Sequence, residues 1–594
     1  MVKIYGSPIR LTETRTAAVC KNESGEERLV IAAKGFILIV NPSTGISKQL
    51  FFPGKPDYPY VSFSSKSGLF YTGYNRTFLA ADPFKEKILF AKSPIKEDAA
   101  VFSICENREG YLFFCTYPRL YLIRFDPKKQ RFKKYGRIDT AAKYAGSMAA
   151  DESGWIYIGI GTEAGLVTAF HPETKEKRTW HPYPKKKRGT GYVMKGTDGK
   201  VYGQMASSQL RHSSSGEEWY TFSGGQAMPV KEEDVPPSNY WGKGFFSCHG
   251  QLSEKENIHS FDLVKKEVTT SALKIDLEYE AAGAELSTLS LGPDRKIYGT
   301  SMHPMQFFSF DPEKLEFENL GPLEKGEGGN ICAYATAGSK LIGAAYTSGK
   351  IYVLDTNKKT EPLINPKLIG SAELVHRPRC MAAHPDQEHI YFAGFPGYGK
   401  RGGGLAKLNV YSNKLEVFPN EQLIPNQSIV SFDFLSNGDV IGGTSVHTPG
   451  GAAQTERHAC LFRLNWKNSR FHAETVPFQA EEEISGIIAE ESKIYGLTGS
   501  SKFFLFSPEK LVPEKIISLK KYGKPARNGF LKMNGSILCL LKKAVIKIDL
   551  KTLSYKVIPV SQPITSGGAI WQNNLYFASG SVFCSLNLEE GGGK

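Results

Sequence analysis

The chain has 594 residues, of which 41% are hydrophobic and 23% charged, a balance that excludes an intrinsically disordered protein and leaves room for several domains. A net charge of +14 favours acidic partners: nucleic acid, uronate-bearing glycans or an anionic surface. No run approaches the ~18 consecutive apolar residues of a membrane helix, so no membrane partner is expected.

The first predicted element is a strand, VKIYGSPI, at residues 2–9. It lacks the apolar core of a signal peptide, although a trimmed chain would look the same. The nine cysteines are scattered without a C-x-x-C pair and read as reduced, mostly buried thiols, so a cytoplasmic setting is expected. Cys248 and His249 are adjacent, which does not make a metal site without further ligands.

From residue 29 onward one phrase recurs. An apolar run, often with I-Y or L-Y, is followed by a turn, a second apolar run and then [FL]-D-P or a relative. Copies of the first run begin near Leu29, Leu69, Tyr111, Trp155, Val201, Phe245, Ile297, Leu341, Ile390, Val440, Ile494, Ile537 and Leu575, at a spacing of about 40–55 residues. The closing phrase reads IVNPSTG, RFDPKKQ, AFHPETK, SFDPEKL, VLDTNKK, LFSPEKL and KIDLKTL. Each run has strand length and strand composition. The D-P pieces are turn chemistry, with Asp accepting from nearby backbone N–H groups and Pro fixing φ. A further apolar run precedes each copy, as in AGSMAAD (145–151) or PRCMAAHP (378–385), and a basic strand such as RFKKYG follows it. Four short antiparallel strands per ~40–50 residues is the pattern of a β-propeller blade.

About thirteen blades exceed the ~4–8 of one ring. The expected fold is therefore all-β, two tandem β-propellers of about six or seven four-stranded blades each. A plain split gives residues 1–325 and 326–594. The last copy, AIWQNNLYFASGSVFCSLNLEE, stops after three strands, so the N-terminal strand is expected to complete it and cover an exposed edge. In that case residues 1–57 are candidates for the second ring.

In a blade, the turn between the second and third strands shares a face with the link to the next blade. Turns longer than the 2–5 residues of a hairpin are therefore the places to look. In chain order they offer Tyr74 and Arg76, then Tyr117 and Arg119, Glu163, His303, and Tyr398, Lys400 and Arg401 in FAGFPGYGKRGGGLAKL. The longest, GGTSVHTPGGAAQTERHACLF, carries His447, Arg457 and His458. The links add Tyr144, Tyr192, His376, Arg377, Arg379 and Arg527. Gly397, Gly399, Gly402, Gly403, Gly404, Gly450 and Gly451 would let backbone approach a ligand closely. The basic run PKKKRG (184–189) imitates a nuclear-import signal but reads as an exposed loop between units.

This is a Tyr, His, Arg and Lys set with few carboxylates, Glu163 being the main exception. It fits an anionic, hydroxyl-rich ligand: Arg and Lys neutralise a carboxylate, Tyr stacks on a sugar face, and His acts as acid or base. It fits a glycosidase poorly, since that chemistry needs two facing carboxyl groups. The chemistry is expected in the C-terminal ring, where three successive units supply His376, Arg377, Arg379, Tyr398, Lys400, Arg401, His447 and His458.

The runs GYLFFCTYPRLYLIRFDPKKQRF, GWIYIGIGTEAGLVTAFHPETKE and RKIYGTSMHPMQFFSFDPEKLEF resemble the YVTN/SMP-30-like and streptogramin-lyase-like propeller repeats of bacteria. The resemblance covers most of the chain at the level of the repeat, and it implies the fold more strongly than an activity. That broad group includes lyases, lactonases, sugar-acid enzymes and binding scaffolds. The lactonase calcium site needs a ring of Glu, Asn and Asp that does not assemble here. There is a looser likeness to propeller-fold polysaccharide lyases, which use His, Tyr and Arg or Lys, sometimes with a metal on His. The resulting expectation is a lyase-like protein acting on an acidic oligosaccharide. His447, His376, His303 and Tyr398 are the acid–base candidates. Arg377, Arg379, Lys400, Arg401, Arg457, His458, Tyr144, Tyr192 and Arg119 are the substrate-binding candidates. No motif calls for a cofactor or a metal ligand set, and a divalent metal stays open. The alternative is a non-catalytic scaffold for a protein or glycan. Nucleic acid ranks low, because the basic residues form no single stripe.

Overall fold

A computed structural model describes the chain except residues 97–99, 183–186, 209–212, 239–241, 245–248, 255–256, 325–327, 468–470, 492, 508–511 and 590–594. Phe245, Cys248 and half of the basic run at 184–189 thus lie outside the described residues. The rest is all-β, in a β-propeller-like arrangement of four-stranded antiparallel sheets. The only helical pieces among the described residues are four three-residue 3-10 turns. None is long and apolar enough to cross a membrane. Twelve of the thirteen expected runs coincide with second strands, such as Ile156–Thr162 and Ile297–Ser301.

The recurring D-P phrase behaves as its chemistry requires. Asp126 Oδ1 accepts from the N–H groups of Lys128 and Lys129, both at 3.0 Å, and Asp82 and Asp311 repeat the pattern. The fifth residue of the phrase then turns left-handed: Glu86 at φ 50°, Gln130 at 50° and Leu315 at 61°. A type I turn closed by one left-handed residue is a standard route from third to fourth strand.

The chain forms two compact units. The terminal unit contains Met1–Leu11, Ala282–Gly450 and Gln454–Lys594. The inserted unit contains Thr12–Ala281 together with Gly451–Ala453. The boundary expected near residue 325 is therefore corrected to Ala282, and only residues 1–11, not 1–57, join the C-terminal part. The cause is the core: Ile9 packs with Ala284, Leu286, Phe310 and Phe583, and its carbonyl accepts from Ala284 N–H at 3.0 Å. The first full sheet, Thr14–Phe51, instead shares its core with Leu252, Phe261, Val268 and Ile275 of the inserted unit.

In the terminal unit, strand Val2–Gly6 pairs antiparallel with Val582–Asn587, so the last sheet gains its fourth strand from the N-terminus. Tyr5 anchors it, 4.9 Å from the Phe310 ring and 5.9 Å from Phe583. The innermost strands contact one another in sequence: Leu286–Leu291, Asn330–Ala337, Arg377–Ala383, Ser428–Phe434, Ile484–Glu490, Pro525–Met533 and Ser566–Trp571. The last of these returns to the first.

Twelve inner strands break register against their neighbour near their start. A bulge of this kind bends the strand and re-aims the extra side chain. In the terminal unit single-residue slips occur at Cys332, Arg379, Val430 and Ser485. In the inserted unit one occurs at Arg15.

Candidate functional site

The bulges decide what faces the middle of the terminal unit. A cavity of about 500 Å³ is lined by Arg379, Val430 and Ser485 from bulges, by Lys524–Asn528 at the start of another inner strand, by Glu481–Glu483, and by His447. A second cavity of about 250 Å³ shares Arg379, Val430, Ser485 and Asn528 with the first, and continues onto Leu289, Met381, Phe432, Ile487 and Phe530. Both present more polar than apolar surface, although the second is backed by more apolar side chains. Asn528 stands between them, its Nδ2 donating to Thr288 Oγ1 at 3.0 Å and to the Cys332 carbonyl at 2.8 Å.

Arg379 and Arg527 face the larger cavity together. Arg379 is half-buried and makes no ion pair among the described residues. Burial, then the Arg527 cation, push its guanidinium below its ordinary value, with Glu483 opposing. Both remain cations at neutral pH. Arg527 Nε is buried without a hydrogen-bond partner. Glu481 is already engaged: it is 5% exposed, accepts from Ser500 N–H at 3.0 Å, and lies 3.4 Å from Lys502 Nζ. His447 is exposed on the loop after Val440–Ser445. Among the described residues only its backbone N–H is held, donating to Ser445 Oγ at 3.3 Å.

A second group gathers on neighbouring loops of the same unit. His376 immediately precedes strand Arg377–Ala383, and its Nδ1 accepts from Ser348 N–H at 3.1 Å. The proton of the neutral ring therefore sits on Nε2, which is buried without a partner. Burial, then the charges of Arg377 and Lys400, push this imidazole down to about 4. Tyr346 and Tyr398 flank it edge-on, ring centroids at 5.5 and 6.0 Å, and their hydroxyls meet at 3.2 Å. Arg377 lies over both tyrosine rings, at 5.3 and 4.6 Å, and donates to the Pro396 carbonyl at 2.7 Å. His303 is edge-on to Tyr346 at 6.4 Å, its Nδ1 accepting from Gly329 N–H at 3.2 Å.

Of the residues singled out in the sequence, His447, Arg379 and Arg527 line the larger cavity, while His303, His376, Arg377, Tyr398 and Lys400 form the adjoining group. Six others have different placements. His458 Nδ1 is occupied by the Ala480 N–H at 2.8 Å, which makes it a loop tie. Arg457 is exposed and Arg401 half-buried, and neither lines a cavity described above. Cys380, beside Arg379, is a half-buried residue whose thiol is pushed up by burial. Tyr144, Tyr192 and Arg119 belong to the inserted unit, and none lines the cavity. There Tyr144 packs on Tyr117 and Phe102 at 4.9 and 5.3 Å. Tyr192 is edge-on to Trp219 at 6.2 Å, with its hydroxyl pushed up to about 12 by burial. The Arg119 carbonyl accepts from Arg137 Nε at 3.0 Å.

Two expectations change. The site is not poor in carboxylates, because the link AEEEIS places Glu481, Glu482 and Glu483 on the cavity. That run was legible in the sequence as three consecutive acids in a link between blades. Of the loop glycines, Gly402, Gly403, Gly404, Gly450 and Gly451 lie tight against neighbouring atoms, whereas a Cβ on Gly397 would meet nothing nearer than 3.9 Å. A Cβ on Gly403 would sit 1.8 Å from the Gly394 carbonyl oxygen, and one on Gly450 would sit 2.6 Å from that of Gly397. No disulfide joins the described cysteines, and no group of three or more metal-ligating side chains gathers among the described residues.

No family model matches the chain, and no curated protein matches it. Solved structures do match. One, described as the "extracellular domain of the putative one component system BT4673 from B. thetaiotaomicron", is 11% identical with a TM-score of 0.38, over 99% of this chain and 82% of that one.

Proposed function

We propose that the chain is a pair of β-propellers, the terminal unit with seven blades, and that the terminal unit acts on a carboxylate-bearing oligosaccharide by β-elimination. The observation that carries this reading is the pair of guanidinium groups, Arg379 and Arg527, which face one cavity without a bound carboxylate among the described residues. A uronate carboxylate would complete both. Charge-assisted hydrogen bonds from arginine are strong and planar, and suit that group. Neutralising the carboxylate acidifies the C–H next to it. The His447 imidazole on the same cavity then takes that proton. The electron pair forms the C=C bond, the C–O bond to the neighbouring sugar breaks, and the His447 imidazolium returns its proton to the departing oxygen. The eight described cysteines, seven of them buried, read as reduced thiols, which fits a cytoplasmic setting.

The test is a set of acidic oligosaccharides assayed by absorbance of the unsaturated product. His447→Ala should lower turnover by ~10²-fold or more with the fold intact. Full activity in that variant removes His447 from the mechanism. Binding without any product, across uronates of both configurations, favours a non-catalytic glycan-binding scaffold instead.

A further inference from the structure

The larger cavity takes one acid group, yet the positive charge of the terminal unit does not end there. Arg377 and Arg379 lie two residues apart on one inner strand. Between them the register slips, so the two side chains are not constrained to one face. Arg379 goes to the cavity, and Arg377 goes to the rings of Tyr346 and Tyr398. The Tyr398 loop and the His447 loop are tied by Gly399 N–H donating to the Gly450 carbonyl at 3.0 Å, so the second group adjoins the first.

The second group has the composition of a sugar subsite. Tyr398 is 44% exposed and can receive a sugar face. Arg377 pairs with no carboxylate among the described residues, and neither does Lys400. The charges that act on His376 are both positive, those of Arg377 and Lys400. Its Nε2–H is a donor still lacking an acceptor. A stacked ring carrying its own carboxylate would supply both an anion and acceptors.

We infer that Tyr398, Arg377, Lys400 and His376 form a second acidic-sugar subsite beside the Arg379–Arg527 cavity, so that the preferred ligand carries at least two acid groups on consecutive sugars. This rests on the reading of that cavity as a carboxylate site. It makes chain length a property the protein measures: one uronate fills one cationic cluster, and two or three fill both.

The experiment is calorimetric titration of the full chain with α-1,4-linked galacturonate mono-, di- and trisaccharides. Lys400→Gln and Tyr398→Ala are titrated in parallel, with melting temperature as the check on folding. The di- or trisaccharide should bind at least ~10-fold more tightly than the monosaccharide, the size of one additional charged contact. In either variant that gain should shrink below threefold, while affinity for the monosaccharide holds. Should Tyr398→Ala disturb its loop, Lys400→Gln carries the test alone. Equal affinity for one and three sugars, or a gain that survives both substitutions, overturns the second subsite and leaves the first standing. Binding unaffected by Arg379→Met, or no binding of any acidic saccharide, sinks the cavity reading itself and the subsite with it.

Discussion

Arg15 of the inserted unit and Arg379 of the terminal unit hold the same place in their sheets. Each is the extra residue where an innermost strand slips register against its neighbour: Thr14 pairs Ala33 and Thr16 pairs Ala32, as Pro378 pairs Gly394 and Cys380 pairs Ala393. Their surroundings differ, first of all in the charge that the same stretch of chain supplies beside them. Two positions earlier stands Glu13, just before the first strand, and Arg377, the first residue of the second. Glu13 is 1% exposed, and its Oε1 lies 2.6 Å from Arg15 Nε. Arg379 has no such partner among the described residues. The same scaffold thus presents one arginine that is already answered from within the chain and one that is left for something else. A shared backbone position sets where a side chain goes; the residue beside it sets whether the side chain is structural or available.

The largest effect expected from this difference is on stability. Arg15→Met strips a buried carboxyl of its partner and should cost about 3–5 kcal/mol in denaturant unfolding. Arg379→Met removes a cation held beside another cation. It should leave stability unchanged or raise it, while abolishing binding of acidic saccharides. Equal losses of stability in the two variants would erase the distinction.

Next in size is a pH dependence. Burial, opposed by Arg15 and Lys34, raises the Glu13 carboxyl from 4.5 to about 7. The folded protein therefore binds more protons than the unfolded chain between those values, and stability falls as pH rises through them, by about 3 kcal/mol. Glu13→Gln imitates the protonated acid and should flatten that slope. Relative to the parent, the variant gains stability on going from pH 4.5 to 8. An unchanged slope would mean that another group titrates.

The comparison also marks what the sequence could reveal. The repeat phrase, its strands, its Asp turns and the closure by VKIYG were legible because turn residues and short apolar runs have local signatures. The bulges were not, since the extra residue is Arg, Phe, Gly, Cys, Val or Ser from sheet to sheet, and nothing local marks it. The unit boundary was hidden for a similar reason: LEYEAAGAEL near residue 282 reads like any link between repeats, and only the contact of Ile9 with Ala284 separates it. His303, His376 and Tyr398 were found by residue type and do come together. His458 and most of the loop glycines were found the same way, and packing claims them instead.

A smaller change tests whether position 377 is the switch. Arg377→Glu places a carboxylate where the inserted unit has Glu13. It should weaken acidic-saccharide binding by ~10-fold or more, through the loss of one cation and the gain of an internal competitor for Arg379. Arg377→Gln, which only removes charge, should weaken binding less. Equal effects would show that Glu at this position does not reach Arg379.

The smallest effect is that of salt, and it separates the two arginines by environment alone. Exposed charges are screened over ~10 Å at 0.1 M ionic strength and over ~3 Å at 1 M. The Arg379–Arg527 cavity holds open space for water-borne ligands, so its attraction for an acidic saccharide passes partly through solvent. Affinity there should fall about threefold to tenfold between 0.1 and 1 M sodium chloride, and binding of a neutral saccharide should not move. The Arg15 side chain is 20% exposed and that of Glu13 fully buried, so their contact lies where salt does not reach. The stability difference between the parent and Arg15→Met should accordingly be the same at both salt concentrations. If that difference shrank with salt in step with the binding affinity, the two arginines would share one environment, and the contrast drawn from Glu13 and Arg377 would have to be abandoned.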